Sequence, residues 1–295
     1  MFRFQPKVFL LFFVVLPAVL AAAGCGSSRS ESRSVVKKVD HITISCANPA
    51  ALFETFTQTL GLPPAWPLSS YPGFTTGGVY CGNANIETVR FGDAGQDPGG
   101  SSESTFIYGI VLEPYPLSEV MDDFRQRGAD PGDPQDQIRE IDGQQVKVWT
   151  NVTLNGLCTD NYILYLCEYT EAMQEALEKR ARDNPVPLGG IGLTGVKKII
   201  ISSTQSGETR GLWEAVFAPA VMSTDGELNF GSGPSILIAN GTMNVIESLI
   251  LEVDSLQAAR EFLAENGLPG EASDREISID PAKVQSLDIR LVERQ

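Results

Sequence analysis

The sequence predicts an α+β protein of two domains, each built from a pair of βαβββ modules. Three observations predict this class. Four stretches of the chain begin with a β-rich run and continue, after a short turn, into apolar residues at helical spacing. Each stretch is followed by more β-rich sequence that ends in a second apolar strand. A charged helix and a Pro/Gly-rich segment, within residues 170–190, separate the second stretch from the third.

The four strand-plus-helix repeats begin at Val39, Phe106, Val196 and Val245. The first repeat has the clearest helix, because Asn48 can cap its N-terminus and Pro49 takes the first helical position. The second and fourth repeats also predict amphipathic helices, whereas the third allows only a short helix before Pro219. The return strands of the four repeats are ANIETVRF, NYILYLCEY, PSILIANG and SLDIRLVE.

The N-terminus predicts an exported protein. Residues 1–24 combine a short basic start with the apolar run VFLLFFVVLPAVL, which is typical of a signal peptide. LAAAGC then resembles the lipobox of bacterial lipoproteins, in which the cysteine, here Cys25, is lipidated. The alternative is cleavage after an Ala-x-Ala site, which gives a soluble secreted or periplasmic protein. Residues 25–34 predict a flexible tether, so the expected location is the bacterial cell envelope, with the lipid as the membrane anchor.

The composition of the remaining chain predicts two domains and a linker. We predict a first domain over residues 35–170, a linker over 171–189 and a second domain over 190–295. The composition, 42% hydrophobic and 20% charged, is that of a globular protein. The net charge of −15 argues against sequence-independent nucleic-acid binding, which needs a basic surface, and against electrostatic attraction to anionic lipids. The sequence does not determine the oligomeric state.

Four cysteines follow Cys25: Cys46, Cys81, Cys158 and Cys167. In an oxidising compartment they allow two disulfides with three connectivities, which the sequence does not separate. The alternative is that they are small buried hydrophobic residues.

His41, the only histidine of the chain, lies in the strand VDHITIS. Strand alternation places it on one face with Thr43 and Ser45, and places Ile42 and Ile44 on the other. His41 is therefore a candidate metal ligand or proton-transfer residue.

The pattern resembles the vicinal oxygen chelate superfamily, which includes glyoxalase I, bleomycin-resistance proteins and extradiol dioxygenases. The resemblance rests on DHITI, PAALFETFTQTLGLP, GGVYCGNANIE and the repeat from Phe106. It covers the first domain well and the second more faintly. It implies curled mixed sheets around a cavity, with metal ligands on corresponding strands of the paired modules.

The resemblance also assigns ligand positions. The first and second fall on His41 and Glu87, the third on Gly109 with Tyr108 beside it, and the fourth on Tyr165. The matching positions of the second domain are Lys198, Leu237, Ser248 and Arg290. The first domain thus keeps two of four ligands, with Tyr165 as a third only if it ionises, and the second keeps none. A divalent ion (Zn, Fe, Mn or Ni) is the implied cofactor, and Glu87 is the candidate general base.

Thr43, Trp66, Tyr108 and Tyr165 are the candidate residues of a ligand cavity. Two functions follow from the resemblance. The first is a binding module that holds a small organic molecule without a complete metal site. The alternative is a divalent-metal-dependent lyase, isomerase or dioxygenase that uses His41 and Glu87. A third hypothesis is an interaction lipoprotein with a vestigial cavity.

Overall fold

The computed structural model describes residues 33–92, 104–141 and 143–295. The predicted signal peptide, Cys25 and most of the predicted tether lie outside the described residues. Arg33–Gln295 form one compact unit. Within the described ranges, no helix is both long and apolar enough to cross a membrane. The boundaries proposed from composition stay predictions.

The chain folds as an α+β protein, as the sequence predicts. The first module contains β1 (Val36–Ser45), α1 (Pro49–Glu54, extended by a π-helical turn over Thr55–Thr59), β2 (Pro64–Tyr71), β3 (Phe74–Tyr80) and β4 (Asn85–Phe91). The second contains β5 (Phe106–Pro114), α2 (Leu117–Gln126), β6 (Gln135–Ile141), β7 (Gln144–Thr153) and β8 (Ile163–Tyr169). The charged helix α3 (Glu171–Asp183) follows.

The third module contains β9 (Leu193–Ser203), α4 (Ser206–Phe217), β10 (Glu227–Leu228) and β11 (Ser235–Asn240). The fourth contains β12 (Val245–Val253), α5 (Leu256–Glu265), β13 (Pro269–Ala272), β14 (Glu276–Ile279) and β15 (Asp288–Glu293). The prediction of a short third helix was wrong, since α4 has 12 residues. Its buried stripe of Trp213, Val216 and Phe217 packs into the core and holds the helix despite two glycines.

The strands form one mixed sheet that curls without closing. In the first pair of modules the order is β2-β3-β4-β1-β5-β8-β7-β6, and in the second it is β10-β11-β9-β12-β15-β14-β13. The two halves join where Ile107 of β5 pairs with Ile246 of β12. β1 and β5 lie at the centre of the first half, so their side chains meet those of β4 and β8.

The two halves have the same strand register and the same irregularities. β1 and β5 pair His41 with Val111 and Thr43 with Gly109, and irregularities leave out Asp40 and Tyr108. β9 and β12 pair Lys198 with Ile250 and Ile200 with Ser248, and leave out Lys197 and Glu247 in the same places. The matching of Lys198 to His41 and of Ser248 to Gly109 therefore holds without a shift.

The two halves also share a hydrogen bond at a helix N-terminus. The backbone N–H of Leu117, which opens α2, donates to the Glu168 carboxylate at 2.7 Å. The N–H of Leu256, which opens α5, donates to the Glu293 carboxylate at 3.0 Å. Both carboxylates come from the last strand of their module and satisfy an otherwise unpaired helix donor. Glu293 therefore stabilises a helix.

The four cysteines of the described ranges are all free thiols. Cys46, Cys81 and Cys167 are buried, and Cys158 is partly buried. The sequence left two alternatives open, disulfides or small buried residues. The structure agrees with the second.

Candidate functional site

The candidate site lies on the face of the central strands opposite Ile42 and Ile44. β1 and β4 run parallel and pair Thr43 with Glu87, which brings the Glu87 carboxylate beside β1. β5 and β8 also run parallel, and Tyr165 pairs with Val111, the partner of His41. Register alone thus brings together His41, Thr43, Glu87 and Tyr165, which the sequence proposed as site residues.

His41 is held from both sides of its ring. Its Nδ1 lies 2.6 Å from Oδ2 of Asp40. Its Nε2 lies 3.6 Å from Oε2 of Glu87 and 3.3 Å from the hydroxyl of Tyr165. Tyr169 donates to the same Asp40 oxygen at 2.7 Å. Asp40 and His41 are 4% and 7% exposed, so the pair is inside the protein.

The charges of this group follow from its contacts. Burial by itself lowers the pKa of His41, but the bonds to Asp40 and Glu87 outweigh it and raise the pKa to about 9. Burial raises the pKa values of Asp40 and Glu87, yet His41 and the hydroxyl donors lower both overall. At neutral pH the group is a buried imidazolium between two carboxylates.

Glu87 uses both of its carboxylate oxygens. Oε1 accepts a hydrogen bond from Thr76 at 2.6 Å, and Oε2 accepts one from Thr43 at 3.0 Å. Burial and the nearby Glu87 charge raise the pKa of Tyr165 well above its usual value. Tyr165 is therefore a neutral phenol at this site and offers no phenolate ligand.

Trp66 lies against the same cluster. Its indole meets the His41 ring edge-on, with the centroids 5.8 Å apart, and its Nε1 lies 3.5 Å from Oγ1 of Thr76. Gly78 of the neighbouring strand makes this position available, because a Cβ there would overlap the indole. The tryptophan thus packs beside His41, and its role as a residue of a ligand cavity stays a prediction.

Tyr108 lies apart from the cluster. Among the described residues its ring contacts are with Phe91 and Phe106, at centroid distances of 5.2 and 6.0 Å. Tyr108 is the residue left out of the β1–β5 register, and this bulge takes it out of the alternation that the sequence argument assumed.

The divalent ion that the resemblance implies needs more protein donors than this cluster offers. The third ligand position is Gly109, which has no side chain. His41 and Glu87 are two donors, and both are engaged by protein partners. In the described part of the chain, no group of three or more His, Cys, Asp and Glu side chains is placed to hold a metal. Since catalytic zinc and iron sites usually take three protein ligands, these residues do not fit such an ion.

Asp40, Tyr169 and Thr76 are residues of the cluster that sequence reasoning missed. Strict alternation places Asp40 on the face opposite His41, but the strand irregularity between Val39 and His41 turns both side chains to one face. The signal in the sequence was the acidic residue directly before the only histidine.

A cation–π interaction connects the two edge strands of the first half. The guanidinium of Arg139, on β6, lies 5.0 Å from the Tyr71 ring centroid on β2 and 4.9 Å from the Trp149 ring. Trp149 in turn contacts Tyr169, the Asp40 partner, at 6.4 Å. This contact holds the edges of the curled sheet together across its opening.

The second half holds a different set at the matching positions. Lys198 forms an ion pair with Glu227 at 2.6 Å, and Glu227 pairs with Leu237 across β10 and β11. Arg290 pairs with Asp288 at 2.7 Å. The four matching positions carry two cations, an apolar residue and a serine, so they provide no metal-ligand set.

Comparison with solved structures identifies the fold. No protein-family model and no curated protein sequence matches this chain. A variant of 4-hydroxymandelate synthase from Streptomyces coelicolor matches with a TM-score of 0.57 at 11% identity, over 88% of this chain and 93% of that one. The Mn(II)-bound glyoxalase from Novosphingobium aromaticivorans matches with a TM-score of 0.55 at 11% identity, over 88% and 83%.

A third match is a variant of homoprotocatechuate 2,3-dioxygenase from Brevibacterium fuscum, with a TM-score of 0.57 at 8% identity, over 90% and 74%. At these identities the likeness concerns the fold. The chain has the fold of the vicinal oxygen chelate proteins, and the resemblance inferred from its sequence is confirmed at that level.

Proposed function

We propose that the first pair of modules binds a small organic molecule without a complete metal site. The observation that carries this proposal is the Asp40–His41–Glu87 group, which fills the metal position with a buried ion pair. Both ring nitrogens of His41 and both carboxylate oxygens of Glu87 have a protein partner. A metal would have to displace these partners and would gain only two donors.

A preformed cavity beside the ion pair supports binding. It has a volume of about 270 Å³ and is lined in part by Asp40 and Asn85. Asn85 pairs with His41 across β1 and β4, so the cavity adjoins the cluster. Polar residues line the cavity on both sides, which suits a small ligand that carries hydrogen-bonding groups.

The metal-dependent alternative is tested by metal analysis. The mature protein, prepared without a histidine tag, is loaded in turn with Zn²⁺, Fe²⁺, Mn²⁺ and Ni²⁺, and bound metal is measured after removal of free ions. We expect substoichiometric metal that is the same in wild type and His41→Ala. Stoichiometric metal that is lost in His41→Ala, and kept in the matched Lys198→Ala variant, would contradict the proposal and favour the metal-dependent enzyme.

We further propose that the protein is anchored in the bacterial cell envelope through lipid on Cys25. The support is the N-terminal pattern, since a chain of net charge −15 gains nothing from anionic headgroups. Cys25→Ser is expected to move the protein from the membrane fraction to the soluble fraction, whereas Ser27→Ala leaves it in place. Membrane association of Cys25→Ser equal to that of wild type would contradict the anchor.

A further inference from the structure

The first described residues of the chain are hydrogen-bonded to two loops. The carbonyl of Val35, directly before β1, accepts a hydrogen bond from the backbone N–H of Tyr115 at 3.2 Å. The carbonyl of Arg33 accepts one from the Arg127 guanidinium at 3.1 Å, and the same guanidinium donates to the carbonyl of Ala218 at 2.6 Å. The loop after β5 and the loop after α4 thus lie at the end of the fold where the predicted tether arrives.

Both loops carry exposed apolar side chains and no charge. The first contains Tyr115, which is 41% exposed, followed by the exposed Pro116. The second contains residues 219–222, Pro-Ala-Val-Met, in which Val221 is 74% exposed. Val221 is the most exposed large hydrophobic residue of the described ranges. Side chains this exposed contribute little to the core, so both loops are available to contact an apolar or interfacial surface.

The charge around these loops is balanced, unlike that of the whole chain. Residues 33–38 and 113–127 carry five basic and four acidic side chains, whereas the chain has a net charge of −15. Each of the four carboxylates forms an ion pair with a basic residue of the same set. The pairs are Arg33 with Glu119 and Asp123, Lys37 with Glu113, and Arg125 with Asp122. This end therefore avoids the repulsion that the other, acidic surfaces would meet at an anionic bilayer.

The predicted tether is short compared with the fold. The eight residues from Cys25 to Arg33 span at most about 28 Å when fully extended. A Gly/Ser-rich chain of that length averages about 15 Å between its ends. The strand β5, with nine residues, is by itself about 26 Å long. A lipid on Cys25 would therefore hold the end that carries Tyr115 and Val221 near the bilayer, with the opposite end of β5 away from it.

We propose that these two loops, Tyr115-Pro116 and residues 219–222, rest in the bilayer interface and fix which face of the anchored protein meets the membrane. The inference rests on the proposed lipid on Cys25 and adds the protein's own contact with the lipid surface. Tyrosine suits this position, because its ring is apolar and its hydroxyl is polar. The contact is small and apolar, so it acts as a second attachment beside the acyl chains and does not need anionic headgroups.

The experiment measures whether the two loops lie in the bilayer. Val221→Cys and Tyr115→Cys are made separately in the full-length lipoprotein, labelled with a nitroxide and reconstituted in phosphatidylcholine vesicles. Power saturation in electron paramagnetic resonance compares collisions with oxygen, which partitions into lipid, and with a neutral nickel chelate, which stays in water. The native Cys46, Cys81 and Cys167 are buried, and label on the unsubstituted lipoprotein gives the background.

The matched control is Met243→Cys. Met243 is 60% exposed and lies just before β12, which pairs with the start of β5 at Ile107. It is therefore at the end of β5 opposite Tyr115. We expect the ratio of oxygen to nickel collisions to be at least about three-fold higher at Val221 and Tyr115 than at Met243.

The same labels on the non-lipidated Cys25→Ser chain, in solution without vesicles, should all give the ratio of a water-exposed site. Circular dichroism shows whether each variant is folded, and the Tyr115→Cys label decides if Val221→Cys is not.

The anchor and the surface contact fail on different measurements. Flotation of the vesicles shows whether the lipoprotein is attached, and loss of flotation would overturn both. Flotation with a Val221 label as accessible to nickel as the Met243 label would overturn the inference and leave the anchor in place. A Val221 label shielded from oxygen and nickel alike would also overturn it, because that result indicates a protein partner at this face.

Discussion

The imidazole Nδ1 of His41 lies 2.6 Å from the carboxylate of Asp40, although the two residues are adjacent in one strand. The bulge that leaves Asp40 out of the β1–β5 register makes this contact available. In the second half the same bulge carries Lys197 beside Lys198. Both halves thus have the same bulge. In the first half it brings a carboxylate beside the imidazole, and in the second half two lysines lie next to each other.

Loss of the His41 charge should destabilise the protein strongly. His41→Gln leaves the carboxylates of Asp40 and Glu87 buried without their cation, and removing one partner of a buried ion pair typically costs about 3–5 kcal/mol. Urea unfolding measures this as a lower free energy of unfolding. The matched Lys198→Gln variant removes a pair that is 25% and 28% exposed, which we expect to cost about 1 kcal/mol or less. Equal losses in the two variants would contradict the buried ion pair.

Gly78 should not tolerate a methyl group. A Cβ at this position overlaps the Trp66 indole, so Gly78→Ala forces the tryptophan away from His41 and should cost about 1–3 kcal/mol. Gly211, exposed in the interior of α4, has no atom within 4 Å of an added Cβ. Gly211→Ala should therefore stabilise by about 0.5–1 kcal/mol. Thermal unfolding compares the two, and an unchanged melting temperature for Gly78→Ala would show that Trp66 is not packed there.

The stability of the protein should fall at alkaline pH. The folded pKa of His41, about 9, is above its ordinary value of 6.5. The contribution of His41 to the free energy of unfolding is therefore complete below about pH 6.5, and it is lost as the pH rises through 9. A shift of this size corresponds to a few kcal/mol, on the order of 3. Asp40 and Glu87 have lowered pKa values, so their contribution is lost at acid pH instead.

Urea unfolding at pH 6 and pH 10 measures the alkaline loss. His41→Gln should show a much smaller difference between the two pH values than wild type. The same difference in both proteins would assign the pH dependence to other groups.

The cysteines should remain reduced and slow to react. Burial raises the pKa of Cys46 and Cys81 to about 12, so neither forms a reactive thiolate near neutral pH. A thiol reagent applied to the non-lipidated Cys25→Ser chain, after denaturation without reductant, should count four thiols. In the native protein these two cysteines should react only as it unfolds. A count of two or none would indicate disulfides and contradict the free thiols of the structure.

The sequence predicted the modules because strand and helix periodicity are local. Asn48, Pro49 and the apolar stripe that follows define α1 without knowledge of the rest of the chain. The positions of His41 and Glu87 followed from the family resemblance. Asp40 was missed because a bulge is a property of two paired strands. Arg180 and Asn85 line one cavity although they are far apart in sequence, and this depends on how α3 packs.

The most direct test of the account is the ionisation of His41 followed by NMR. His41 is the only histidine, so a tag-free, metal-free protein gives one imidazole resonance whose shift reports its charge. We expect a protonated ring at pH 7, a pKa of about 9 and no change on addition of Zn²⁺. A neutral ring at pH 7 with a pKa below 6.5, together with a shift on Zn²⁺ addition, would contradict the buried ion pair.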